Sequence, residues 1–228
     1  MSSRPVAAVA IAAVLCCSAC ATVMKMPYAK GAPPMDRSKA LFLMTATLRN
    51  VYKTSYQPKI LVVNVEREGA TEAKDRFNFK MDDEGRAEDE SPLVGNNYLI
   101  RMDLGPGTYV IRGITCLNNS LFVHASFFAP LHERLVVTGP GVYYLGHADA
   151  TVRERAGNEF KAGPPVPLID QALAGASGGT FDVTISDRWE QDRARFGIAF
   201  PILRGVGARS AILAPFDRGT AQAFWEAH

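Results

Sequence analysis

The chain has 228 residues, 47% of them hydrophobic, which is enough apolar material for a packed core, and its 25 Lys and Arg against 23 Asp and Glu leave a formal charge of +2. That length allows one large or two small domains, and a near-balanced charge with no basic stripe argues against a nucleic-acid surface. Of the four cysteines, Cys16, Cys17 and Cys20 crowd the N-terminus, so Cys116 stands alone in the body and an internal disulfide there is excluded.

The first residues, "MSSRPVAAVAIAAVLCCSACATV", place one positive side chain, Arg4, before an apolar run from Val6 to Leu15. This is the layout of an export signal, too short for a permanent membrane span. The stretch Cys17-Ser18-Ala19-Cys20 resembles the lipobox of bacterial lipoproteins, with Cys17 where Leu is usual. The resemblance implies cleavage after residue 19 and a lipid on Cys20, a palmitate-type anchor whose affinity grows by roughly 0.8 kcal/mol per buried CH₂. An ordinary A-x-A cleavage site, Ala19-Cys20-Ala21, is the alternative. Ala21 and Thr22 follow with no Asp, which by resemblance to the enteric sorting pattern implies an outer-membrane, periplasm-facing location.

Residues 20–38 mix Pro, Gly, Ala and charge without a period and are expected to be a tether. Short β-rich runs follow: "ALFLMTATL", "KILVVNVE", "RFNFKM", "NYLIRMDL", "TYVIRGITC", "LFVHASFF", "ERLVVTG" and "VYYLGHADATV", each bounded by Gly, Pro, Asn or Asp. In "TYVIRGITC" strict alternation puts Tyr109, Ile111, Gly113 and Thr115 on one face and Val110, Arg112 and Ile114 on the other. In "KILVVNVE" it opposes Ile60, Val62 and Asn64 to Leu61, Val63 and Val65. Close spacing without intervening helices predicts an antiparallel β-sandwich over residues 39–186. Cys116, inside such a run, is expected to be a buried small hydrophobe.

Two of these runs open alike, "LGPGTYVIRG" from Leu104 and "VTGPGVYYLG" from Val137. A phosphate-binding glycine loop leads into a helix, whereas here each Gly-Pro-Gly leads into Tyr and β-branched residues that favour a strand. Both are expected to be type II turns with Gly107 and Gly141 at the positive-φ position. "MDLGPGTYVIRGI" with "ERLVVTGPGVYYLGH" resembles paired turn-and-strand elements of transthyretin-like (prealbumin-like) sandwich domains found in uncharacterised bacterial lipoproteins. The resemblance covers about Ala40 to Val152 and implies a transthyretin/Ig-like fold and an envelope setting. It carries no catalytic residues.

Residues 153–179 are rich in Gly, Pro and Ala and form a long loop of the kind that tends to be functional or mobile. "TFDVTIS" is then a last strand, and residues 187–228 are expected to be a short helical segment. Asp187 with Glu190 resembles a capping box for a helix carrying Trp189 and Phe196 on one face, stopped by Gly197 and Pro201. Thr220 is the expected cap of a final helix bearing Phe224 and Trp225, the best candidate partner surface in the chain.

Other chemistry is spelled more weakly. Gly175-Ala176-Ser177-Gly178-Gly179 matches a G-x-S-x-G nucleophile motif in letters, but the helix precedes it and the strand follows, the reverse of a nucleophile elbow. His124 and His147 lie in expected strands and could meet across a sheet with Asp149 as third ligand to a metal; partly exposed strand histidines are the simpler expectation. The acidic run from Asp82 to Glu90 lacks calcium-loop spacing and reads as a solvated hairpin tip around Gly85. Asn118-Asn119-Ser120 reads as a tight turn. The expectation is therefore a lipid-anchored, non-catalytic binding or scaffold module without cofactor or metal, its partner an envelope protein or a glycan. A carbohydrate or peptidoglycan binder would use exposed aromatics on one sheet face, with Tyr109, Phe122, Tyr143 and Tyr144 as candidates, and a hydrolase would use Ser177.

Overall fold

The computed structural model describes residues 21–89, 91–120, 123–163 and 169–227. In chain order its strands are β1 (Thr22–Lys25), β2 (Ala40–Asn50), β3 (Lys59–Arg67), β4 (Arg76–Lys80), β5 (Arg86–Ala87), β6 (Asn96–Leu104), β7 (Gly107–Asn119), β8 (His124–Val137), β9 (Gly141–Glu154), β10 (Gly179–Ser186) and β11 (Arg209–Ser210). The helices are α1 (Ile169–Leu173), α2 (Trp189–Ala199) and α3 (Arg218–Ala227). One sheet runs β1-β4-β3-β7-β8 and the other β10-β9-β2-β6-β5, with β11 beside β9. The molecule is mainly β and sandwich-like, as the sequence suggests.

The sheets are mixed rather than purely antiparallel: β2 runs parallel to β9, β1 to β4, and β11 to β9. A short loop dictates an antiparallel pair, as between β7 and β8. β2 and β9 are far apart in the chain, so no turn fixes their relative direction.

Both Gly-Pro-Gly turns switch sheets. Gly105-Pro106 carries the chain from β6 to β7 in the opposite sheet, and Gly139-Pro140 carries it back from β8 to β9. Each last glycine opens a strand, so the expected strand entry is what the structure has. The turn type differs: Gly107 and Gly141 stand at φ +149° and +154°, not near the ~+80° of a type II turn. That extended, positive-φ region is open essentially to glycine alone.

Bulges account for the alternation that the sequence misses. Tyr109 and Ile111 face the core as expected, but β7 then carries one extra residue against β3, whose Asn64 and Val65 stand opposite Gly113 and Ile111. Beyond it Ile114 and Cys116 are buried and Thr115 faces out, because one extra residue reverses every later side chain. A shift between Ile60 and Val62 does the same in β3, leaving Leu61 exposed and Val63 and Val65 inside. β8 is a single strand across "APLH", where two runs are expected; its Pro130 is tolerated because β8 is a sheet edge.

The inner faces meet through Phe42, Met44, Ile100 and Met102 from one sheet and Val63, Phe79, Ile111 and Phe127 from the other. Each such side chain contributes about 1.5–3 kcal/mol on burial. Cys116 is fully buried here, and burial pushes its thiol pKa up. A second cluster lies on the outer face of the β10–β5 sheet, where Leu41, Leu43, Leu99 and Tyr144 are covered by Phe196, Phe200 and Leu203.

Residues expected to form the tether are laid onto this body. β1 pairs with β4 and Met26 is in the core. The Pro27 carbonyl accepts 2.8 Å from Nε of Arg101, a fully buried arginine that also donates to Leu99 O and to the Asp82 carboxylate and lies 3.7 Å over the Phe200 ring. The acidic run is thus not merely a solvated tip: Asp82 compensates a buried charge, and Gly85 is enclosed. The long loop is packed as well, with Phe160, Ala162, Ala174 and Ala176 in the core and Ala162 O accepting from the Phe128 amide at the β8 edge.

Candidate functional site: an apolar recess beside the C-terminal helix

The cap of α3 lies three residues before the expected Thr220. Asp217 is its cap: Oδ1 accepts from the Gly219 and Thr220 amides at 2.8 and 3.2 Å, and Oδ2 from the Thr220 hydroxyl at 2.6 Å. Arg218 ties the helix to the long loop and to β10 through Glu159 and Asp182. Arg153 binds the same two carboxylates and holds Glu159 down to about 2. This ion network fixes α3 against the loop and β10, with Ala221 buried in the core.

The far end of α3 carries Phe224 and Trp225, both half-buried. In β8 the bulged residue His132 adopts φ +56°, and its ring lies 4.5 Å from that of Phe224. Arg112, paired with Glu66, covers the other approach at 5.4 Å. Between α3, β8 and the loop lies a recess of about 250 Å³. Phe128, Phe160, Phe224 and Trp225 line it, together with Thr115, Ser126, Phe127 and Gly163. Lys161 also lines it and has no carboxylate partner among the described residues. The Trp225 indole Nε1–H is enclosed without an acceptor there.

A second cluster is polar and closed. Asp192 of α2 is fully buried and accepts from the Thr45 hydroxyl at 2.5 Å and the Tyr144 hydroxyl at 2.6 Å, with Arg195 at 3.3 Å. Because Thr45 gives its proton to the carboxylate, it must accept from Nδ1–H of His147 at 2.8 Å. This fixes the tautomer and leaves Nε2 of His147 deprotonated, buried and without a partner among the described residues. Desolvation, with Arg188 nearby, lowers the His147 pKa to about 4, while Tyr144, buried and facing a carboxylate, has its pKa raised and stays a donor. The cluster fastens α2 to the sheet.

The remaining candidates fall as follows. Cys20 and Phe122 lie outside the described residues. His124 and His147 are not brought together: they belong to opposite sheets, His124 exposed and bonded to Asn119. Asp149 pairs with Arg49, and no group of three metal-ligating side chains occurs among the described residues. Ser177 sits in the turn between α1 and β10, its amide bonded to Gln171 O. Tyr109 and Tyr144 are buried, and Tyr143 stacks on Phe42 at 5.3 Å, so they do not form an exposed aromatic face. Among the described sequence candidates, Phe224 and Trp225 border this recess.

Comparison with family models, curated proteins and solved structures finds no match. No described helix is long and apolar enough to cross a membrane. The recess partners that the sequence reading missed, Phe128, Phe160 and Lys161, converge from a strand edge and a loop that no local spacing connects.

Proposed function

We propose that this chain is a non-catalytic binding or scaffold module of the bacterial envelope, a transthyretin-like lipoprotein held at the outer membrane through Cys20 and facing the periplasm. The recess bordered by Phe224 and Trp225 carries the reading: an aromatic-lined concavity at an ordered helix end is the usual form of a binding site. The anchor rests on the N-terminal pattern of Arg4, the apolar run and Ser18-Ala19-Cys20.

Two measurements test the two halves. Metabolic labelling with an alkyne palmitate should mark the wild-type chain and not Cys20→Ala; label retained by that variant sinks the anchor. Crosslinking in intact cells, before any detergent is added, should trap a partner or ligand that Phe224→Ala fails to trap. Identical trapping by wild type and Phe224→Ala removes the recess from the function.

A further inference from the structure

The polar groups at the recess say what kind of ligand it takes. Phe128, Phe160, Phe224 and Trp225 border it, and Lys161 lines it with no carboxylate partner among the described residues. Glu159, two positions before Lys161, is shared by Arg153 and Arg218, and Glu66 holds Arg112. The enclosed Trp225 Nε1–H is likewise a donor wanting an acceptor. An unpaired cation beside apolar surface gains most from an anion brought in with its own apolar body. A volume of about 250 Å³ lies just below the ~300–1,000 Å³ of drug-sized pockets, which limits the occupant to one ring or a short acyl chain.

We infer that the recess binds a small apolar monocarboxylate, its ring or short chain among Phe128, Phe160 and Phe224 and its carboxylate on Lys161. This rests on the recess being the binding site, and it adds the ligand class. The aromatic lining favours a planar tail stacked or edge-on to the rings, and the single cation sets the charge at one.

The test is calorimetric titration of 3-phenylpropionate into the full-length protein in lipid nanodiscs, with empty nanodiscs subtracted and the neutral amide, 3-phenylpropionamide, as comparison. The carboxylate should bind at least tenfold tighter than the amide; Lys161→Met should abolish that preference, and Phe224→Ala should weaken both. Equal affinity for acid and amide, or a preference that survives Lys161→Met, overturns the charge assignment. No heat from either compound overturns the ligand class. Self-association of the protein that closes the recess and is relieved by Phe224→Ala also overturns it. In each of these cases the crosslinking contrast with Phe224→Ala still decides separately whether the recess is the functional site.

Discussion

α2 and α3 are both short helices laid against the sandwich, and they are held by opposite means. α2 lays Trp189, Phe196 and Ala199 on the second apolar cluster and is pinned there by a buried carboxylate, Asp192, that two sheet hydroxyls and Arg195 satisfy. α3 is fixed at its start by surface ion pairs and at Ala221 by the core, and its aromatic end leaves unfilled space. A buried carboxylate engaged by three donors rigidifies the helix that carries it. An aromatic edge beside a bulged strand leaves a recess, and on the proposed function α3 is the helix that serves the site.

The largest expected effect comes from removing the pin. Asp192→Ala strips the acceptor from the buried Thr45 and Tyr144 hydroxyls and should cost about 3–5 kcal/mol, read from urea unfolding midpoints. Phe224→Ala, at the rim of a recess, should cost well under half of that. Equal losses would erase the distinction between the two helices.

His147 gives the next effect, and it depends on pH. Its imidazole ionises at about 4 in the folded chain and near 6.5 when unfolded, so between these values the unfolded state binds the proton and the native state does not. Stability is therefore intact above pH ~6.5 and falls as pH drops towards 4, by about 3 kcal/mol. Comparing urea midpoints at pH 7 and pH 4.5 should show a wild-type loss that His147→Gln reduces. An unchanged pH slope in that variant would place the acid sensitivity in other groups.

The sequence shows why these two surfaces were unequally legible. Strand runs, the Gly-Pro-Gly strand entries and the Phe224-Trp225 pair are local patterns, and period-2 alternation with turn residues identifies them. Asp192 and His147 could not be paired from spacing, since they lie on a helix and a strand 45 positions apart with Thr45 between them in space. Arg101 was equally hidden, because an arginine inside "NYLIRMDL" reads as a wet position until Pro27 and Asp82 are seen to enclose it. Bulges near Ile60 and Ile111 reset the alternation at places without a sequence mark strong enough to predict, although Gly113, at φ +155° with Ala129 O 2.4 Å from a built Cβ, is the residue that permits one of them.

The smallest effect concerns the start of α3. Asp217 is exposed, its carboxyl is held below the usual range chiefly by the Thr220 hydroxyl and amide, and it caps two amides that water can also reach. Asp217→Ala should lower stability less than either change above, and Asp217→Asn, which keeps an acceptor, less still. The loss should appear locally, as faster amide hydrogen exchange in the first turn of α3, with Arg218 still holding the helix to Glu159 and Asp182. Because Phe224 and Trp225 sit two turns further along, a frayed start should loosen the recess lining and weaken 3-phenylpropionate binding without changing its preference over the amide. A lost preference would mean instead that the cap positions Lys161, and α3 would then be as tightly coupled to its surface as α2.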